Sequence, residues 1–156
     1  MFEHIKKFFE YNNHHVNSAA NLEKLVVANN FKDAILDNML DGKFKDEFNK
    51  LINSKNISRA EILRRTGISG TYFDELRNYA LKKKASPSRI KLINICLAID
   101  ADFDETNHIL QCAGLSPLYS RIKMDTIIIW GHENNKTGME IRDMILEECG
   151  ADVFDS

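Results

Sequence analysis

Four polar side chains occur at intervals of i, i+4, i+7 and i+11, which is the spacing of one helical face: Thr71, Glu75, Asn78 and Lys82. Hydroxyl, carboxamide and ammonium groups can hydrogen-bond to the phosphates and base edges of a nucleic acid. A carboxylate is repelled by phosphates, although it can accept a hydrogen bond from the amino group of cytosine. These residue types fit recognition of a nucleic acid, and Glu75 is the member that fits least well.

The charge of the chain is distributed unevenly around this row. The formal net charge of the 156 residues is −2, but residues 55–91 contain 10 basic and 3 acidic side chains. Residues 92–156 contain 4 basic and 12 acidic side chains. A basic block at residues 55–91 inside an acidic protein indicates a local anionic partner. A solvated surface, or pairing with the acidic C-terminal region, explains the same charges and stays open.

Hydrophobic residues recur with the helical period along the whole chain, and no convincing strand pattern appears. Gly67 and Gly114 are predicted to end two of the helices. Capping boxes are expected at three pairs: Ser58 with Glu61, Asp102 with Glu105, and Thr137 with Glu140. Two further helices are expected to begin with a serine cap followed by proline, at Ser86–Pro87 and Ser116–Pro117. The sequence therefore predicts an all-α fold.

Catalytic, metal and membrane chemistry have little support in the sequence. His108 and Cys112 stand four residues apart on a predicted helix, but two ligands without a second close pair do not make a zinc site. The three widely spaced cysteines predict reduced thiols. No phosphate-binding loop or catalytic motif occurs, and no apolar run is long enough to span a membrane. We therefore expect a cytoplasmic protein that is not an enzyme and needs no cofactor or metal.

Residues 57–79 have the spacing of a helix-turn-helix, which docks a short second helix into the major groove of DNA. Together with the five-helix pattern through residue 114, this stretch resembles the phage-repressor-like family, also called the XRE family. The residues that carry the resemblance are Ile57, Glu61, Ile62, Thr66, Gly67, Ile68, Ser69, Phe73, Leu76, Pro87, Leu92, Ile95, Ala98 and Phe103. The resemblance implies a compact helical DNA-binding domain of a transcriptional regulator, usually a dimer.

The resemblance also implies an organisation in three parts. Residues 42–115 would form the five-helix repressor-like helix-turn-helix domain. Residues 1–41 would form an N-terminal helical extension, and residues 116–156 a C-terminal one. Two apolar clusters in the extensions are candidate surfaces for a homodimer, Phe2, Phe8 and Phe9 in the first and residues 127–130 in the second, and packing within the chain is the alternative for most of the second cluster.

Twelve residues are predicted to contact DNA: Arg59, Arg65, Ser69, Gly70, Thr71, Tyr72, Glu75, Arg77, Asn78, Lys82, Lys83 and Arg89. The resemblance assigns most of them by position in the family's motif, whereas Arg65, Arg77, Lys82 and Lys83 are included for their charge beside the motif. The cationic members are expected to contact phosphates, whereas Gly70, Thr71 and Glu75 occupy the base-reading positions. Gly70 has no side chain with which to read a base, and Asp74 adds a second acid beside Glu75.

The glycine that usually ends the second motif helix is replaced by Tyr79. This replacement predicts a longer helix that would bring Lys82 onto the reading face.

The leading hypothesis from the sequence is a regulator that binds double-stranded DNA, with phosphate attraction outweighing base reading. A protein-interaction adaptor that reuses the fold, with weak or no DNA binding, is the alternative. In a third hypothesis, the acidic C-terminal region masks the basic block.

Overall fold

The computed structural model describes residues 43–79 and 87–155, and the regular structure within these ranges is entirely helical. The described residues form seven helices: α1 (Lys43–Ser54), α2 (Arg59–Thr66), α3 (Gly70–Arg77), α4 (Arg89–Ala98), α5 (Phe103–Cys112), α6 (Lys123–Glu133) and α7 (Gly138–Cys149). The predicted all-α fold class is confirmed. The predicted N-terminal extension at residues 1–41, with Lys82 and Lys83, lies outside the described residues.

Capping hydrogen bonds fix the start of most of these helices. The boxes at Asp102–Glu105 and Thr137–Glu140 are confirmed, because in each pair both reciprocal hydrogen bonds form. Ser58 caps α2 as predicted, with its side chain accepting from the backbone N–H of Glu61. The Glu61 carboxylate turns instead to two arginines.

Both predicted serine–proline starts are wrong. Helix α4 begins at Arg89, and Ser88 rather than Ser86 is its cap, because the Ser88 side chain accepts from the N–H of Lys91. Residues 115–122 form no helix after Ser116–Pro117, and α6 begins only at Lys123.

The second motif helix is not lengthened. Helix α3 ends at Arg77, and Asn78 is its C-cap, with φ −114° and ψ 26°. The next side chain, Tyr79, is buried and makes an edge-on ring contact with Phe44, with a centroid distance of 5.3 Å. The residue that replaces the expected glycine thus anchors the end of α3 in the core, and no continuous helical face runs on through Asn78.

The core beneath the motif is aromatic on one side and aliphatic on the other. Phe48 stacks on Phe44 and meets the ring of Phe73 from α3. Helix α4 is buried over nearly its whole length and contacts α2, α5 and α7. Burial of this apolar surface holds the first five helices in place around α4.

The C-terminal helices pack onto the same core. Helix α7 contacts both α4 and α6, and residues on the two sides of position 115 belong to one compact unit. The buried side chain of Asn94 joins the motif to α7, because it donates to Thr66 O at 3.0 Å and accepts from Arg142 Nε at 2.9 Å. Among the helices described here, none is long and apolar enough to cross a membrane.

Candidate nucleic-acid interface

The local sequence builds a helix-turn-helix from α2, a three-residue turn and α3. Gly67 takes the left-handed conformation, with φ 69°, and its N–H closes α2 on the carbonyl of Leu63. Ser69 then caps α3 by accepting from the N–H of Tyr72 at 3.2 Å. Inside the turn, Thr66 Oγ1 donates to Ile62 O and accepts from the N–H of Ile68. The predicted roles of Gly67 and Ser69 in shaping the motif are confirmed.

Helix α3 buries one side and exposes a polar one. Phe73 and Leu76 are buried in the core. Thr71, Asp74 and Asn78 are exposed, and Glu75 is half-buried. The outward side is therefore polar and supported by a fixed apolar back, which is the form that a groove-reading helix needs.

Arg59, at the start of α2, forms a two-point ion pair with Asp74 across the top of α3. Its Nε and Nη2 atoms lie 2.9 and 2.8 Å from the two carboxylate oxygens of Asp74. The hydrogen bonds from Arg59 lower the pKa of Asp74 below its ordinary value. Asp74, the acid that counted against DNA binding, is therefore neutralised by a residue predicted to contact DNA.

Arg65 forms hydrogen bonds within the protein. Its Nε donates to Glu61 at 2.7 Å, and its Nη1 donates to the carbonyl of Ala98, at the end of α4, at 2.8 Å. Arg65 is partly exposed, and its predicted phosphate contact stays a prediction in which the guanidinium would have to keep or give up its hydrogen bond to the end of α4.

Arg89 is likewise a structural residue rather than a surface cation. It makes two hydrogen bonds to the buried carboxylate of Asp125, at 3.1 and 2.7 Å. It also donates to the carbonyls of Ser116 and Pro117, at 3.0 and 2.9 Å. The side chain clamps the segment before α6 onto the start of α4, so the predicted phosphate contact of Arg89 would require the guanidinium to leave these partners.

Arg77 and Asn78 stabilise the end of α3. Arg77 donates to the amide oxygens of Asn49 and Asn53 on α1, at 2.7 and 3.1 Å. Asn78 Nδ2 donates to the carbonyl of Asp74 at 3.0 Å. These contacts use one hydrogen each on Nε and Nη2 of Arg77, whose predicted phosphate contact stays a prediction, and Asn78 stays exposed beside its capping bond.

Tyr72 is half-buried against the start of α4. Its hydroxyl accepts from the N–H of Ser88 at 3.0 Å, and the ammonium of Lys91 lies 4.8 Å from the ring centroid. Burial raises the pKa of the Tyr72 hydroxyl. Packing is therefore the main role of Tyr72. The contact with its ring places the ammonium of Lys91 beside α3, and Lys91 is not among the twelve residues predicted to contact DNA.

Glu61 has its pKa lowered to about 2 by hydrogen bonds from Arg64 and Arg65. A lowered pKa means that this stabilisation is complete above pH 4.5 and is lost as the pH falls towards 2. We expect the stability of Glu61→Gln to fall less steeply than that of the wild type over this range. The effect should be small because the pairs are exposed.

Urea unfolding at a series of pH values measures this difference, with Glu147→Gln on α7 as the control for loss of an exposed acid. Parallel curves for the wild type and Glu61→Gln would rule out Glu61 as a source of acid sensitivity.

His108 lies near two potential metal ligands, at 2.9 Å from Glu47 Oε2 and 3.7 Å from Cys112 Sγ. Burial raises the pKa of the Cys112 thiol, which favours its protonated form. Within residues 43–79 and 87–155, no group of three or more such side chains is arranged to hold a metal ion.

The structure brings Arg59, Ser69, Gly70 and Thr71 together at the start of α3 and turns Arg65, Arg77 and Arg89 towards internal partners. Comparison with known proteins finds no matching family model, no matching curated protein and no matching solved structure. The functional conclusion therefore depends on the geometry of the motif itself.

Proposed function

We propose that this protein is a transcriptional regulator that binds double-stranded DNA by docking α3 in the major groove. The observation that carries the proposal is the α2–turn–α3 unit, with its left-handed Gly67 turn and its Ser69 cap. The exposed row of Thr71, Asp74 and Asn78 gives this unit a polar outer side on a buried base. Resemblance to the repressor-like family supports the same proposal.

The internal pairing of cations changes how this binding should depend on salt. Five cations of the basic block pair with carboxylates: Lys55, Arg59, Arg64, Arg65 and Arg89. Each phosphate neutralised contributes about −0.9 to the slope of log K against log salt. We therefore expect a shallower slope than the ten basic side chains of residues 55–91 alone would imply.

The variant Thr71→Glu tests α3 as the DNA-facing element. Thr71 is exposed in the first turn of α3, where a carboxylate favours the helix dipole, so the fold should be retained. A carboxylate facing phosphates and base edges should weaken DNA binding by about tenfold or more. Fluorescence anisotropy with mixed-sequence and genomic duplexes at ~50 mM salt measures the affinity.

The matched control is Asn135→Asp, which adds the same charge in the turn between α6 and α7. Asn135 is exposed with φ 54°, a conformation that aspartate also tolerates. This variant should bind DNA nearly as well as the wild type. Equal losses in both variants would mean that only overall charge matters, and an unaffected Thr71→Glu would remove α3 from the interface.

The second candidate function is a protein-interaction adaptor. The observation that favours it is the neutralised motif surface, where Asp74 pairs with Arg59 and three other predicted arginines hydrogen-bond to partners within the protein. An adaptor would show no salt-dependent DNA binding at ~50 mM salt, and Asp74→Ala would weaken a protein complex instead.

The predicted homodimer surface at the N-terminus lies outside the described residues, and in the second one Ile128 is buried, Ile127 and Ile129 are half-buried and Trp130 is exposed. Tyr119, Ile122 and Trp130 are the exposed large hydrophobic residues in the described ranges, at 46%, 42% and 50% exposure. Trp130 lies on α6, Ile122 is its N-cap and Tyr119 lies in the segment before it. Association through this surface stays a prediction.

A further inference from the structure

The predicted base-reading position Gly70 lacks a side chain, and the side chain of Arg59 occupies the space beside it. A Cβ atom added at Gly70 would lie 2.5 Å from Nη2 of Arg59, which is far inside van der Waals contact. The Arg59 guanidinium therefore fills the space that a residue-70 side chain would use. Any larger residue at position 70 would have to displace the end of this arginine from the preceding helix.

The Arg59–Asp74 pair leaves the end of the guanidinium available. A guanidinium has five N–H donors, and the carboxylate takes one from Nε and one from Nη2. The three remaining hydrogens include one parallel pair on the two terminal nitrogens. A parallel pair of this kind makes the bidentate contact to O6 and N7 of guanine, the commonest base-specific contact in the major groove.

We propose that Arg59 is a base-reading residue of this protein, that it reads guanine in place of the missing residue-70 side chain, and that Asp74 positions it. This inference rests on the proposed DNA binding. It gives Asp74 a role in recognition, because the carboxylate fixes the orientation of the guanidinium and cancels its net charge. It also separates Arg59 from a phosphate contact, which would add affinity without any preference for a base.

Selection of bound duplexes from a random pool, with the full chain, tests the reading role. Arg59→Lys keeps the charge but loses the planar pair of donors, and Asp74→Asn keeps the size but loses the two-point ion pair. Each should reduce the preference for guanine at one position by roughly tenfold to a hundredfold. The salt slope of Arg59→Lys should stay unchanged, because the number of charges is conserved.

Arg64→Lys is the matched control, because Arg64 lies on the same helix and pairs with Glu61 at the surface. Its base preference should equal that of the wild type. If Arg59→Lys keeps the guanine preference, while Arg59→Ala weakens all sequences uniformly and lowers the salt slope by about one, Arg59 is a phosphate contact and the inference is overturned.

A measurement without DNA tests the pair itself. In the wild type the Asp74 carboxyl should titrate by NMR below its ordinary pKa, and Gly70→Ala, whose methyl group displaces the guanidinium, should raise that pKa towards normal. A normal Asp74 pKa in the wild type overturns the inference and leaves DNA binding standing. A lowered pKa in a wild type that binds no DNA at ~50 mM salt overturns the proposed function, and the reading role with it.

Discussion

Asp125→Ala is expected to lower the free energy of unfolding by about 3–5 kcal/mol, because it leaves a partly buried guanidinium without its counter-charge. Asp125 is completely buried on α6 and accepts two hydrogen bonds from Arg89. Asp125 also accepts a hydrogen bond from the N–H of Tyr119 at 2.8 Å. The Asp125→Ala variant therefore also loses this anchor of the segment before α6. Urea unfolding of the full chain measures the loss, and Asp143→Ala at an exposed site on α7 is the control.

The double variant Arg89→Met/Asp125→Leu separates the clamp from a DNA contact. Replacing both members of a buried ion pair with apolar residues is often close to neutral, so it should recover much of the lost stability. Its DNA affinity should match that of the wild type, because Arg89 faces inward. A folded double variant with strongly weakened DNA binding would restore Arg89 to the predicted phosphate contacts.

The parts of the motif that could be predicted from sequence depend on neighbours within four residues. A cap such as Ser69 hydrogen-bonds within the first turn of its own helix, and the left-handed Gly67 closes the last turn of the one before. The Asp102–Glu105 box works over the same distance. These signals are short-range, so they survive any arrangement of the helices.

The roles of the arginines could not be predicted, because their partners are distant in sequence. Arg59 pairs with a residue 15 positions away, Arg65 with a carbonyl 33 positions away, and Arg89 with a carboxylate 36 positions away. A long side chain can reach several groups, and only the packed fold determines which of them lie close enough to pair with it. The spacing of the helix-turn-helix predicts where each residue lies in the motif, but not the direction of its side chain.

The same reason limits what the basic block can indicate. Lys55 and Arg89 pair with Glu105 and Asp125, which both belong to the acidic part of the chain. Part of the charge asymmetry therefore reflects contacts within the fold. Ion pairs within the fold cancel part of this charge. A count of charges along the sequence therefore overstates the electrostatic potential that a DNA or protein partner meets at the surface.

Gly138→Ala is expected to be the most damaging glycine substitution, with a loss of about 3 kcal/mol. A Cβ atom at Gly138 would lie 2.0 Å from the carbonyl oxygen of Leu97, a backbone atom at the end of α4. The start of α7 would have to move away, which would disturb the hydrogen bond from the N–H of Gly138 to Asp100 at 2.7 Å. This close approach joins the C-terminal helices to the core beneath the motif.

Two other glycines provide the comparison. At Gly131 a Cβ atom would lie 2.4 Å from Cγ1 of the fully buried Ile141, but this neighbour is a side chain rather than a backbone carbonyl, and alanine inside a helix offsets up to about 1 kcal/mol of the overpacking cost. At Gly67 no atom lies within 4 Å, but the left-handed φ of 69° should cost alanine about 1–2 kcal/mol. Thermal and urea unfolding should therefore rank Gly138→Ala as the least stable of the three. If Gly67→Ala were less stable than Gly138→Ala, strain in the motif turn would outweigh the contact between α7 and α4, and the C-terminal helices would be less firmly joined to the core than the close approach implies.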